Sequence, residues 1–173
     1  PEMKPTYVAY WWWETEEIPE YFLEKADFFD EIWAPTMFIY KNLAKVLGDK
    51  IVLAPFLAPF NDESEGLSRT DFQLPENLPV FLVKFDFLSS IDRKNPYAAI
   101  QAFRKAFKSE TEAYLLIKTV NGEFASHLLD ELISSVKDRS DIRVWNKNLD
   151  NATNNDLMKC VSGYVSLHRS EGL

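Results

Sequence analysis

The most chemically suggestive stretch of the sequence is DRKNP, residues 92–96, in which two cations stand directly before a predicted helix. Asn95 is a favourable N-cap residue and Pro96 suits the first helical turn, so the tract predicts a helix start. Backbone N–H groups and the positive end of the helix dipole lie at such a start. Arg93 and Lys94 beside them could bind a pyrophosphate and stabilise the charge that it gains as it leaves.

The same tract also has a simpler interpretation, in which Arg93 and Lys94 are solvated charges before a helix. Short motifs of this kind are weak when they stand alone. On spacing, therefore, both interpretations stay open.

Four predicted strands in the second half of the chain alternate with three predicted helices. This pattern predicts an α/β fold, a Rossmann-like parallel sheet with helices on both faces. The strands are expected at 80–87, 113–118, 141–145 and 163–168. Ligands of such sheets bind outside the carboxyl ends of the strands. The candidate binding residues there are Ser89, Ser90, Arg93, Lys94, Lys118, Asn146, Arg169, Ser170 and Glu171.

Two residues near the end of the chain have both a functional and an ordinary interpretation. Glu171 precedes Gly172, which permits a close backbone approach, and its carboxylate could accept hydrogen bonds from sugar hydroxyls. It could equally be an exposed surface glutamate. His168 is either a polar group at the edge of the sheet or a buried imidazole with its hydrogen bonds satisfied.

The first part of the chain is also α/β in character, with predicted strands at 6–13, 31–35 and 50–55 and a helix at 36–47. Residues 56–79 then lose the hydrophobic periodicity and become rich in Pro, Asn, Asp, Glu and Ser, which predicts a linker. The domain assignment is a portion of one Rossmann-like domain at 1–57, a linker at 58–79 and a second Rossmann-like domain at 80–173.

Three consecutive tryptophans, Trp11 to Trp13, invite a carbohydrate-stacking interpretation because indole faces pack on sugar rings. Alternate residues of a strand point to opposite faces, so the three rings cannot all line one groove. Core packing is favoured, with one or two rings at a cleft. Glu14, which follows, is expected at a solvated helix entrance.

The composition excludes several classes of function. The net charge of −8 argues against nonspecific binding of nucleic acid or of an anionic membrane, which needs a basic surface. The single Cys160 cannot form a disulfide within the chain, and two histidines with one cysteine make a structural zinc site improbable. There is no apolar run of membrane-spanning length and no leader, so a cytoplasmic location is expected.

Other sequence motifs of nucleotide chemistry are missing. There is no D-x-D triad to hold a divalent metal on a diphosphate, no G-x-G-x-x-G and no G-x-x-x-x-G-K-[ST]. Dinucleotide-binding and P-loop hypotheses therefore lose support. Because the sequence starts without Met and stops just after its most polar cluster, we expect a piece of a longer protein.

Taken in order, DRKNPYAAIQAFRKAF, LLIK and YVSLHRSEG resemble the donor-binding domain of group 1 (family 4) glycosyltransferases. Upstream, YWWWETEEIPEYF and DEIWAPTMF resemble the end of the family's N-terminal, acceptor-side domain. The resemblance covers roughly residues 6–55 and 80–172. It implies the GT-B fold, of which this chain would be a part, and retaining transfer of a sugar from a nucleotide-diphosphate donor without a metal cofactor.

The resemblance also implies roles for single residues. Lys94 matches the family's diphosphate-binding lysine, with Arg93 as its neighbour, and Glu171 matches the first glutamate of an E-x7-E signature at the donor sugar. Lys94 and Glu171 are thus the implied catalytic residues. Ser89 and Ser90 stand where the family commonly has a further cation. Residues 146–149, from Asn146 to Leu149, fall in the loop that contacts the nucleobase.

The expected partners are a nucleotide-sugar donor and a glycan or lipid-linked acceptor in bacterial surface polysaccharide or glycan synthesis, at the inner face of the membrane. Nucleic acid is not expected. The second glutamate of E-x7-E is missing, so the chain is expected to be inactive alone. The alternatives are a non-catalytic GT-B-like module that binds a nucleotide or a partner, and a receiver-like regulatory domain. The receiver would need more acids than Asp92 after the strand at 80–87.

Overall fold

The computed structural model of the chain describes residues 5–57 and 62–171, which divide into two compact units. The first unit contains residues 5–57 together with 170–171, and the second contains residues 62–169. No helix in the described part of the chain is long and apolar enough to cross a membrane.

The first unit is built on three parallel strands, in the order β1-β2-β3. The strands are β1 (Val8–Tyr10), β2 (Glu31–Ala34) and β3 (Ile51–Leu53). Helix α1 (Glu20–Leu23) continues into a 3-10 turn at Glu24–Phe28, and α2 (Met37–Leu47) connects β2 to a 3-10 turn at Gly48–Lys50. Thr36 is the N-cap residue of α2. Its hydroxyl accepts a hydrogen bond from the Ile39 N–H at 3.3 Å and so satisfies one of the backbone donors that the first turn of a helix leaves unpaired.

The core of the first unit lies on one face of this sheet. Ala9, Ile32 and Ile51 are register partners across the three strands, and Ile39 and Leu43 of α2 pack on them. The opposite face carries four large apolar side chains, each about 40% exposed: Val8, Tyr10, Trp33 and Val52.

The three tryptophans alternate as the strand geometry predicts. The rings of Trp11 and Trp13 lie 4.3 and 4.8 Å from that of Phe22 and pack against the core. Trp12 is 39% exposed and contacts Tyr10 and Phe56 instead. The preference for core packing over a three-ring groove is therefore confirmed.

The second unit contains four parallel strands, in the order β6-β5-β4-β7. They are β4 (Val80–Asp86), β5 (Tyr114–Val120), β6 (Ile142–Asn146) and β7 (Gly163–Tyr164). The helices are α3 (Ile91–Lys94), α4 (Pro96–Ala106), α5 (Ser126–Ser134) and α6 (Asn151–Cys160), with a 3-10 turn at Gly122–Ala125 before α5.

Helices cover both faces of this sheet. On one face, Phe103 of α4 and Leu132 of α5 pack on alternate strand residues such as Ile117. On the other face, Leu157 of α6 packs on Leu82 and Leu116. The predicted fold class, an α/β Rossmann-like parallel sheet with helices on both faces, is confirmed.

The segment at residues 62–79, predicted as part of a linker, packs into the second unit. Phe72 and Leu74 are 4% and 5% exposed and join the cluster around Leu157. Its irregular backbone is satisfied by side chains: Arg69 donates to the carbonyls of Pro75, Glu76, Leu78 and Cys160 at 2.8–3.2 Å. The segment shows no hydrophobic periodicity because its backbone is not in a helix or strand, and side chains such as Arg69 bind its carbonyl groups instead. The domain boundaries themselves stay a prediction.

Asp156 of α6 holds the start of this segment. Its carboxylate accepts hydrogen bonds from the Ser64 hydroxyl and from the backbone N–H groups of Glu65 and Leu67, the last two at 2.8 and 3.0 Å. The Ser64 hydrogen bond and these backbone donors lower the pKa of the Asp156 carboxyl. The charged form of Asp156 therefore secures residues 64–67 to the second unit.

Candidate functional site

The candidate site begins at the carboxyl end of β4, where Asp86 holds the following turn. Its Oδ1 accepts a hydrogen bond from the Leu88 N–H and another from the Asn121 side-chain amide, both at 2.8 Å. The Asp86 carbonyl accepts from the Ser89 N–H at 3.0 Å. These bonds fix the path of the chain from β4 into α3.

Four of the sequence-predicted site residues meet in this turn. Ser90 caps α3 by accepting from the Arg93 N–H at 3.4 Å, and the Arg93 guanidinium donates to the Ser89 hydroxyl at 2.5 Å. Arg93 and Lys94 are both half-buried. The two hydroxyls and two cations thus form one polar cluster at the end of β4, which we call the cationic turn (Ser89, Ser90, Arg93 and Lys94).

Asn95 occupies the predicted helix boundary but acts differently from the prediction. It adopts the left-handed conformation, with φ 49° and ψ 46°, and its side chain does not cap α4. Its N–H instead closes α3 on the Ile91 carbonyl at 2.8 Å, and its side-chain amide donates to the Leu167 carbonyl at 3.0 Å. The predicted helix start is confirmed, with Asn95 at the N-cap position and Pro96 as the first helical residue, but the Asn95 side chain makes no capping hydrogen bond.

The segment that follows β7 is attached to the cationic turn. Besides the bond from Asn95 to Leu167, the Arg169 N–H donates to the Arg93 carbonyl at 2.8 Å. The strand order places β5 and β6 on one side of β4 and β7 on the other. The chain thus reverses its direction of sheet growth between β4 and β7, and such switch points are where open α/β sheets bind ligands.

Two substitutions at Asn95 should separate its backbone role from its side-chain role. Asn95→Ala loses the bond to Leu167 and strains the left-handed backbone, so we expect a loss of about 2 kcal/mol in the free energy of unfolding. Asn95→Gly keeps the backbone conformation accessible and should lose less. Urea unfolding of both variants measures the difference. Equal losses would contradict the role of the left-handed conformation.

Lys118 lies inside β5, two residues before the end of the strand, and not at the strand end as the sequence predicted. β5 extends to Val120, and Lys118 is the register partner of Lys84 on β4. Lys118 is 5% exposed. Burial, and secondarily the positive charge of Lys84, lower the pKa of the Lys118 ammonium, and burial lowers the pKa of Lys84.

Asn146 is engaged within the fold. Its Oδ1 accepts from the Thr119 hydroxyl at 3.0 Å and from the Gly122 N–H at 3.1 Å. A Cβ on Gly122 would come within 2.9 Å of the Asn146 side chain, so only glycine allows this approach. Leu149 packs against the apolar cluster on the α6 face. The predicted nucleobase role of Asn146 and Leu149 stays a prediction.

The last two predicted residues belong to the first unit. The Ser170 hydroxyl donates to the Glu14 carbonyl at 3.1 Å and to its carboxylate at 3.2 Å, and Glu171 is exposed. Glu14 is half-buried and accepts this hydrogen bond, whereas the sequence predicted that it would be solvated at the start of a helix. The predicted site residues are therefore divided between the two units.

Sequence reasoning missed a polar pocket of about 300 Å³ beside the end of β6. Trp145 lies on its wall, with the Arg143 guanidinium 5.1 Å and the Lys147 ammonium 5.8 Å from the ring centroid. Arg143 also donates to the Phe72 and Gln73 carbonyls at 3.1 and 3.3 Å. The pocket depends on residues 71–73, which the sequence assigned to a linker, so no sequence pattern indicated it.

Comparison with known proteins shows a likeness to solved structures. No protein-family model and no curated protein matches the sequence. Among solved structures, the crystal structure of a glycosyltransferase from Rickettsia africae ESF-5 is similar, with a TM-score of 0.62 and 16% sequence identity. The likeness covers 93% of this chain and 45% of that one. The chain shares its fold with a glycosyltransferase. It spans about half the length of that protein.

Proposed function

We propose that this chain is part of a glycosyltransferase that moves a sugar from a nucleotide-diphosphate donor to an acceptor hydroxyl with retention of configuration. The observation that supports the proposal most is the cationic turn at the switch point between β4 and β7. The fold likeness to a glycosyltransferase and the resemblance of the DRKNP and SLHRSEG motifs to the group 1 family support it further.

In the proposed reaction, Arg93 and Lys94 hold the donor diphosphate. A guanidinium forms two parallel bonds to phosphate oxygens, while an ammonium supplies a mobile point charge. Both charges act where negative charge accumulates as the diphosphate leaves, so they stabilise the transition state more than the ground state. The hydroxyls of Ser89 and Ser90 add neutral donors to the same group.

The remaining roles follow the family resemblance. Glu171 positions the donor sugar, the reaction needs no metal cofactor, and the acceptor is a glycan or lipid-linked sugar of a surface polysaccharide. Such a protein acts in the cytoplasm at the inner face of the membrane. The runner-up is a module that binds a nucleotide without transferring sugar. Sugar transfer by the full-length protein distinguishes the two.

Titration of UDP and GDP into the isotope-labelled chain tests the proposal. We expect one of them to shift the backbone amides of residues 88–95 in a saturable manner. Lys94→Ala should weaken that binding by roughly tenfold to a hundredfold, because a charge-assisted hydrogen bond contributes about 1.5–3 kcal/mol.

Lys105→Ala is the matched control, because Lys105 is an exposed lysine in the last turn of α4. It should bind the nucleotide as the parent chain does. If neither nucleotide shifts residues 88–95, or if Lys94→Ala binds as tightly as Lys105→Ala, the assignment of the cationic turn to the donor diphosphate is wrong.

A further inference from the structure

A second cationic group lies on the α6 face of the same sheet. Lys84 and Lys118 are register partners on adjacent parallel strands, so their side chains leave the sheet on the same side. Alternation along β4 places Lys84 with Leu82, on the α6 face. Ile91 of α3 packs on the other face. This lysine pair (Lys84 and Lys118) is therefore distinct from the cationic turn.

Neither ammonium of the lysine pair forms an ion pair within the described part of the chain. Lys84 Nζ donates to the Asn154 side-chain carbonyl at 2.5 Å, which is a neutral acceptor. Among residues 5–57 and 62–171, no carboxylate lies within ion-pair distance of either ammonium, and Lys118 has no hydrogen-bond acceptor. The Asp86 carboxylate raises the pKa of Lys118, so one negative charge acts on a pair of two ammonium groups.

The start of α6 lies beside the pair. Asn154, which contacts Lys84, lies four residues into α6, close to its N-terminal end. The Asp150 carboxylate caps this end of α6 by accepting from the Thr153 N–H at 2.8 Å, so the positive charge available to a ligand comes from the two lysines. Lys118 is 5% exposed and Lys84 is half-buried, and burial disfavours the charged form of both side chains, whereas a bound anion would stabilise it.

We propose that the lysine pair and the first turns of α6 form a binding site for a phosphate group. A phosphate dianion has the charge that two lysines neutralise, and its oxygens accept from ammonium and amide donors together. Lys118 is the central residue because it is 5% exposed and its ammonium has no hydrogen-bond acceptor among the described residues. The phosphate comes either from free phosphate or from a nucleotide.

Titration of sodium phosphate into the isotope-labelled chain, at constant ionic strength maintained with sodium chloride, tests this site. We expect saturable shifts of the backbone amides of Lys84, Lys118 and Asn154. Lys118→Met, which keeps the length of the side chain and removes its charge, should weaken binding at least tenfold. Lys105→Met is the control and should bind as the parent chain does. Thermal unfolding checks the fold, since removal of a buried uncompensated charge should not lower Tm.

Parallel titrations with UDP and GDP distinguish the source of the phosphate. If free phosphate shifts the amides of the lysine pair, the site binds free phosphate. If only a nucleotide shifts them, the site binds a nucleotide phosphate. Absence of saturable shifts with every ligand, or equal binding by Lys118→Met, would overturn the site. The proposed function is tested by the amide shifts of residues 88–95 and the phosphate site by those of the lysine pair. One proposal can therefore be contradicted while the other stands.

Discussion

Replacing Phe72 with alanine should lower the free energy of unfolding of the second unit by about 3–4 kcal/mol. Phe72 is 4% exposed and packs with Leu74, Leu157 and Leu116, and its ring lies 6.2 Å from that of Trp145. Alanine removes the buried surface and leaves a cavity that the surrounding strands and helix fill only in part. Urea unfolding measures the loss.

The matched control is Phe124→Ala, because Phe124 is 73% exposed. Its effect should stay within about 0.5 kcal/mol, as is usual for surface substitutions. If Phe72→Ala is as mild as Phe124→Ala, residues 62–79 behave as the linker that the sequence predicts. A large loss shows that residues 62–79 belong to the core of the second unit. Residues 71–73, which line the polar pocket beside Trp145, then belong to that core as well.

Replacing Asp141 with alanine should cost about 2–3 kcal/mol, because it removes a buried carboxylate and leaves a half-buried guanidinium without its partner. The Asp141 side chain is 1% exposed and the Arg139 side chain 12%. Arg139 donates to both carboxylate oxygens, at 2.7 and 2.5 Å, and to the Phe107 carbonyl at 3.2 Å. The pair thus joins the end of α4 to the start of β6.

The double variant Arg139→Met/Asp141→Ala distinguishes a broken pair from lost packing. It should recover part of the stability that Asp141→Ala loses, because no charge then stays buried without a partner. A double variant less stable than both single ones would contradict this account.

The exposed pair of Arg104 and Asp138 is the surface counterpart. Hydrogen bonds from Arg104 lower the pKa of the Asp138 carboxyl to about 2. Because the folded-state pKa is depressed, the contribution of this pair to stability is complete above the ordinary aspartate pKa and is lost progressively as the pH falls toward about 2. Asp138→Ala should therefore cost less than Asp141→Ala at neutral pH.

The fold of the second unit follows from its sequence because strand and helix periods are clear there. Alternation in VFLVKFDF and the spacing of Ile100, Phe103 and Phe107 indicate a buried strand and an amphipathic helix. The strand at 163–168 is predicted too long: regular pairing stops at Tyr164, and only the Val165 N–H continues toward β4. Apolar residues such as Leu167 lie beyond the end of the strand, and the Leu167 carbonyl accepts a hydrogen bond from Asn95 at the end of α3.

The sequence predicted only those parts of the candidate site whose residues are neighbours in the chain. Ser89, Ser90, Arg93 and Lys94 are neighbours in the chain, and one strand end brings them together. Lys84 escaped notice because its significance depends on the register between β4 and β5, which places it beside Lys118. Register comes from pairing between distant segments, so no local pattern contains it.

The short strand β7 has a consequence for the order of folding. β4 pairs with β5 over seven residues, but with β7 over only two. The contact between Val80 and Ser162 joins residues 82 positions apart. Because closing a long loop costs entropy before its few contacts form, we expect the β4–β5 pair to form first and β7 to dock afterwards. Leu167 and Arg169, which contact Asn95 and Arg93, follow β7 in the chain, so we expect the cationic turn to gain these contacts only after β7 has docked.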